Sequence, residues 1–142
     1  MTMTSPRAIA SDPKFGDCSI RAVKLRAADI LVDFESDHTR ETTQIVFHKV
    51  RFFQFTSNGS NVILDRIDYH ESFAASLSVP VIKQIVCDEQ NLDAGDRSAI
   101  ERSGSGVYHL VPVVGSDGIV ICDSAELAAW TSPKDRVAKK ET

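Results

Sequence analysis

Residues 44–70 read QIVFHKVRFFQF, then TSNGS, then NVILDRIDYH, and this stretch decides the fold. Its apolar side chains recur with period two and are rich in Val, Ile and Phe, the signature of β-strands. Ile45 and Phe47 share a face, but the next large apolar residues are Val50 and Phe52, then Phe53 and Phe55. The inward side therefore changes along the strand. A bulge between Lys49 and Phe53 accounts for the change, because one extra residue moves every later side chain to the other face. Asn58-Gly59 follows, and Asn-Gly between two alternating runs is the strongest short-range hairpin signal. Residues 44–70 are thus expected to form one antiparallel hairpin, returning through Asn61 to His70.

Two further pairs flank it. Ser19–Ala27 and Ile30–Glu35 are joined by Ala28 and Asp29, and Ile30, Val32 and Phe34 alternate with Leu31, Asp33 and Glu35 as in a strand with one buried face. In the first member, Ile20 followed by Val23 and Leu25 implies another change of face. Late in the chain, Val107–Val114 and Ile119–Trp130 flank Gly115, Ser116, Asp117 and Gly118, which is good turn chemistry. The expected fold class is mainly β (α+β): an antiparallel sheet or small sandwich of about six strands in sequential hairpins, with one or two short helices.

The middle, residues 71–105, reads differently. Ser78 as a cap and Pro80 in the first turn suit a helix start, and Ile82, Ile85, Val86 and Leu92 fall at helical spacing. The helix is preferred for residues 78–90, although Val81, Lys83 and Ile85 also alternate as in a strand. Residues 93–96 and 103–106 read as loops, with a short helical turn between Arg97 and Arg102.

With 142 residues, the chain is long enough for one self-sufficient core, burying about 70% of its unfolded surface. Residues 1–13 are expected to be extended or disordered, residues 14–131 to form a single β-rich domain, and residues 132–142 a polar tail. Sixteen basic against 20 acidic side chains leave a net charge of −4. That speaks against a protein that binds nucleic acid by neutralising many phosphates. The stretch FHKVRFFQF, residues 47–55, interleaves aromatic and basic residues like a stacking platform. Core phenylalanines with Lys49 and Arg51 on the wet side explain the same letters. Cys18, Cys87 and Cys122 are odd in number, form no CxxC pair and lie in apolar neighbourhoods, so no disulfide is expected. No signal-peptide core and no run of 18 apolar residues is present. The expectation is a cytoplasmic protein with no membrane partner.

Candidate chemistry centres on Arg66, Asp68 and His70. On a strand these three share a face, so a carboxylate and an imidazole can orient one another; Asp65 falls on the opposite face with Ile67 and Tyr69. The same letters also describe the solvated side of a half-buried strand. His38, His48, His70 and His109 show no zinc-ligand spacing. The loop at residues 103–106, SGSG, lacks the ending of a phosphate loop and the leading Gly of a nucleophile elbow. Asp117-Gly118 lacks the acidic alternation of a calcium loop. No cofactor, metal or catalytic residue is assigned, with Asp68, His70 and Arg66 kept as candidates should the protein be a small enzyme or ligand binder with a pocket at Asp68 and His70.

The order of segments carries a resemblance. FGDCSI (15–20) opening a strand pair, IVFHKV (45–50) with FFQF (52–55), NVILDRI (61–67), and finally GSDG (115–118) leading into IVICD (119–123) resemble small bacterial YxiG-like proteins, some of them regarded as immunity proteins of polymorphic toxin systems. The resemblance spans residues 15–130, without a counterpart for residues 71–105. It implies a non-enzymatic protein that binds another protein, toxin-like and basic, and it brings no catalytic residues. An acidic inhibitor meeting a basic toxin is physically sensible, since opposite potentials speed encounter. Self-association through an uncovered sheet edge is a third reading, and the sequence assigns no oligomeric state.

Overall fold

In the computed structural model, which describes residues 4–55 and 62–134, six antiparallel strands close into a barrel. They are β1 (Cys18–Arg26), β2 (Asp29–Ser36), β3 (Thr42–Phe55), β4 (Ile63–His70), β5 (Gly106–Val114) and β6 (Gly118–Leu127), in the spatial order β1-β2-β3-β6-β5-β4. The β-rich antiparallel class is as expected, but the sheet closes on itself where an open sheet or sandwich was anticipated. Closure pairs the two outermost strands, which an open sheet would leave as exposed edges.

The first hairpin forms, but its turn is one residue earlier than expected: Arg26 lies opposite Asp29, so Ala27 and Ala28 make the turn and Asp29 belongs to β2. The register slips between Ile20 and Ala22, which turns Val23 and Leu25 to the side of Ile20. The expected bulge in β3 is present too. Lys49 has φ +53°, and the register with β6 slips between Val50 and Phe52, leaving Arg51 as the extra residue. A left-handed Lys costs about 1–2 kcal/mol. Asp29 offsets this by accepting the Lys49 N–H at 3.2 Å and a bond from His48 Nδ1 at 3.1 Å.

The central hairpin does not form. β3 uses one edge for β2 and the other for β6, while β4 pairs with β5 and, through Ser19 opposite Ile63, with β1. β4 thus returns beside β1 in Greek-key order. Asn58-Gly59 lies outside the described residues, and the strands on either side of it are not neighbours. A turn signal acts over four residues, whereas β3·β6 pairing runs from Ile45 to Phe55 and outweighs it.

Residues 71–105 fold onto the outside of the barrel. They carry α2 (Phe73–Ser76), α3 (Pro80–Lys83) continued by a π-helical turn over Gln84–Asp88, and α4 (Ala94–Ser103). The helix is therefore the correct reading for 80–88, and Ile82, Ile85, Val86 and Leu92 are all buried. Its N-cap is Val79, because Ser78 Oγ donates to Ala75 O and Ser72 caps the preceding helix. Residues 93–96, read as a loop, begin α4: Asp93 Oδ1 accepts the Asp96 N–H at 2.7 Å, and Gly104 ends the helix at φ +73°, a conformation glycine adopts without penalty.

Two apolar clusters result. The barrel interior holds Phe34, Phe47, Leu64, Tyr108, Leu110 and Val120 among others, while Phe73, Ile82, Val86 and Ile100 pack on Val107, Ile119 and Ile121 outside it. β5 and β6 are covered on both faces, which is why they read as nearly unbroken apolar runs.

Residues 4–13 depart from the frayed end expected. Pro6–Ala10 form a short helix, α1, with Ile9 fully buried, and Pro13–Phe15 a 3₁₀ turn. Phe15 packs on Phe34 at 5.1 Å and on Trp130 at 5.4 Å between ring centroids. Trp130 Nε1 donates to Asp12 Oδ2 at 3.0 Å. This segment stoppers the end of the barrel where β1 and β3 begin. Most of the expected tail, 135–142, lies outside the described residues. No helix among the described residues is long and apolar enough to cross a membrane.

Candidate functional site

Strand β4 presents Arg66, Asp68 and His70. Its register with β5 slips twice, around Leu64, so that Asp65 on β4 and Val113 on β5 are extra residues. The bulge swings Asp65 beside Arg66 instead of leaving it on the opposite face. Arg66 then bridges two carboxylates, donating from Nη1 to Asp65 Oδ2 at 2.6 Å and from Nε to Asp68 Oδ1 at 2.9 Å. The two carboxylates hold the guanidinium pKa above its ordinary value, Asp68 contributing most. All three side chains are well exposed, where solvent screening leaves ion pairs little worth.

His70 stands apart from this cluster. No hydrogen bond joins it to Asp68, and its Nε2 is buried without a partner. Burial pushes its pKa down, Asp68 pulls it back up and His109 lowers it further. The structure thus joins Asp68 to Arg66 and leaves His70 separate.

A pair that the sequence reading missed lies next to it. His109, opposite Asp68 in the ladder and almost fully buried, is 2.6 Å through Nε2 from Asp117 Oδ1. A carboxylate only accepts, so Nε2 donates this bond, while Nδ1 is buried without a described partner. The signal was available: His109 falls on the outward phase of β5 between Tyr108 and Leu110, and Asp117 sits in the following turn. His48 bridges strands in the same way, 3.1 Å from Asp29 Oδ2 and 3.6 Å from Glu126 Oε2. His38 meets Asp17 at 3.0 Å on the surface. Among the described residues, no three His, Cys, Asp or Glu side chains are placed to hold a metal.

The second polar network gathers around the β3 bulge. Ser105 Oγ donates to Asp123 Oδ1 at 2.7 Å, and Arg51 reaches Asp123 from Nε at 3.1 Å and from Nη2 at 3.2 Å. Ser105 first, then Arg51, hold the Asp123 pKa below the ordinary carboxylate value. The bulge aims Arg51 at this site, so SGSG 103–106 is a helix end tied to β6. Gly106 is required there because a Cβ would collide with the Tyr69 hydroxyl. Of the 47–55 aromatics, Phe47 is fully buried, Phe52 and Phe55 are partly buried and Phe53 is exposed, so the stretch forms no row of exposed rings.

Cys18 and Cys122 are buried and Cys87 partly so, and all three are free thiols. Burial pushes the Cys18 and Cys122 thiols up to about 12, far from nucleophilic use.

Four open clefts are described, and neither Asp68 nor His70 lines any of them. One, of about 350 Å³, runs between the β1–β2 turn and the upper half of β3, with Leu25, Ala28, Val50, Arg51 and Phe53 in its walls. A second, of about 390 Å³, shares Val50 and Arg51 with it and continues to Leu92, Asp96 and Ile100. The others lie beside Asp33, Glu35 and Gln44, and beside Arg7, Tyr69 and Glu71. No family model, no curated protein and no solved structure matches this chain.

Proposed function

We propose that the protein is a non-catalytic protein-binding module, immunity-like in the manner of the YxiG-like group, whose partner is a basic, toxin-like protein. One observation carries the reading: where the unpaired negative charge lies. Residues 71–105 hold six carboxylates, Glu71, Asp88, Glu89, Asp93, Asp96 and Glu101, against Lys83, Arg97 and Arg102, a net −3 out of the chain's −4. All six are exposed, and none forms a salt bridge to a described cation. Among the barrel's carboxylates, by contrast, Asp33, Glu35, Asp65, Asp68 and Asp123 each face an arginine or lysine. The helical layer is thus a surface of uncompensated negative charge on a rigid scaffold, which speeds encounter with a basic partner and disfavours acidic ones.

The test is capture from lysate of the native host. The unmodified protein and an Asp68→Ala/His70→Ala variant should retain the same basic protein in stoichiometric amount. Asp88→Asn/Glu89→Gln/Asp96→Asn should lose it, and added salt should weaken capture. Failure to retain any protein, or retention indifferent to the three neutralised carboxylates, removes the reading.

A further inference from the structure

We propose that His70 and His109 form a proton-sensing pair beneath the helical layer, and that charging both imidazoles lifts this layer off β4 and β5. The inference concerns the fold alone and holds whether or not the helical layer receives a protein partner.

The ladder places the pair. His109 lies opposite Asp68, and His70 opposite Val107. The two imidazoles are therefore diagonal neighbours on the outer face, a relation that spans about 7–8 Å in an antiparallel ladder. That face is covered. Val107, adjacent to both histidines, packs with Phe73, Ile82, Ile85 and Val86 of the helical layer, and Ile119, opposite His109 on β6, belongs to the same cluster. The short helix α2 rests on both β4 and β5, and its four residues, Phe73–Ser76, carry no titratable side chain. His109 is 4% exposed and His70 is partly buried.

An imidazolium donates from both ring nitrogens. The closed fold offers His109 one acceptor, Asp117 Oδ1 at 2.6 Å from Nε2. His109 Nδ1 and His70 Nε2 are buried, and neither has a hydrogen-bond partner among the described residues. Charging both rings therefore buries two cationic N–H groups without acceptors and sets like charges side by side, and both effects disfavour the closed arrangement. Asp68, the carboxylate on the same face, is committed to Arg66, whose Nε donates to its Oδ1 at 2.9 Å. Other charged groups on the elements packed here offer no relief. Glu71, Lys83, Asp88 and Glu89 are exposed, Arg7 of α1 lines a cleft with Tyr69 and Glu71, and Lys14 of the 3₁₀ turn pairs with Glu41. Lifting the layer gives the two nitrogens water. The direction of the His70 pKa agrees, since burial lowers it, Asp68 opposes and His109 lowers it further. The closed layer is thus favoured above the ordinary imidazole value, about 6.5, and loses that advantage as pH falls below it.

The cysteines supply the readout. Cys87 lies in the helical layer, partly buried against its apolar cluster, whereas Cys18 and Cys122 belong to the barrel interior. Labelling with dithiodipyridine, which reacts with thiols in mild acid, followed by peptide mass spectrometry measures access to each, with rates normalised to glutathione. Below about pH 6.5 the Cys87 rate should rise by up to about tenfold per pH unit for each proton taken up. Cys18 and Cys122 should stay protected and Trp130 fluorescence, at the stoppered end, should stay constant. The imidazole NMR shifts of His70 and His109 should titrate together with the opening. His70→Gln should remove most of the rise and His70→Gln/His109→Gln all of it, with circular dichroism at neutral pH verifying that each variant is folded. The double variant keeps every carboxylate, so its flat profile separates the imidazoles from acid titration of Asp or Glu. Should it fail to fold, the imidazole shifts of the unmodified protein decide. Cys87 labelling indifferent to pH, labelling of all three cysteines together, a rise that persists in the folded double variant, or imidazole shifts that stay constant through the opening would each overturn the proposal.

Discussion

The two ends of the barrel are built from the same kinds of strand and treated in opposite ways. At one, α1, the 3₁₀ turn and Trp130 bring Ile9 and Phe15 into the interior and leave them no more than 1% exposed. At the other, the upper parts of β1, β3 and β5 leave Leu25, Phe53, Val113 and Val114 well exposed. A closed sheet buries its lateral edges automatically but not its ends, so each end needs its own cover. The chain spends residues from both termini on the first end. The apolar side chains left at the second are the kind of surface that marks a contact site.

The contrast predicts a graded set of responses. Phe15→Ala should have the largest effect, lowering stability by about 3–5 kcal/mol, because it empties a site walled by Phe34 and Trp130; urea unfolding measures it. Ile9→Ala should cost about 3 kcal/mol by the same assay. If either loses less than a typical surface change, α1 is not a stopper. Asp12→Ala, which removes the acceptor of Trp130 Nε1 and the cap of Lys14 N, should cost about 1–2 kcal/mol.

A further difference should show in pH. Burial lowers the His70 pKa in the folded state, so at mildly acidic pH the unfolded chain binds more protons than the folded one. Stability contributed by His70 is then fully present above the unfolded value, about 6.5, and falls as pH drops from there towards the lower folded value. Urea midpoints at neutral and mildly acidic pH should converge for His70→Gln relative to the unmodified protein; unchanged separation would show the imidazole to be solvated. At the open end, Leu25→Ser/Phe53→Ser should move stability least, by about 0.5 kcal/mol. A loss of several kcal/mol there would make these side chains part of the core and abolish the contrast.

Much of this was legible in the sequence because it is local. The slip of apolar phase in residues 45–55 located the β3 bulge, the alternation in residues 30–35 marked the buried face of β2, and Pro80 with the spacing of Ile82, Ile85 and Val86 marked the helix. The central hairpin was misread because Asn58-Gly59 reports a preferred turn and not which strand fills the next edge. Residues 4–13 were misread because Ile9 is a single apolar residue among small and polar ones, and only its place against the barrel reveals its burial. At the candidate site, the period of two correctly put Arg66, Asp68 and His70 on one strand. It could not show that the Asp65 bulge gives Arg66 a second carboxylate, or that His109 finds Asp117.

What the sequence by itself determined is therefore the set of strands, the positions of two phase changes, the helix at 80–88 and the inventory of charge. Each follows from steric and hydrophobic preferences acting within a few residues. Only the tertiary structure decided that the strands close in Greek-key order, that the helical layer carries six exposed carboxylates with no salt bridge to a described cation, and that one barrel end is stoppered while the other exposes Leu25 and Phe53. Those outcomes depend on which distant surfaces bury one another, and burial is a property of the whole chain.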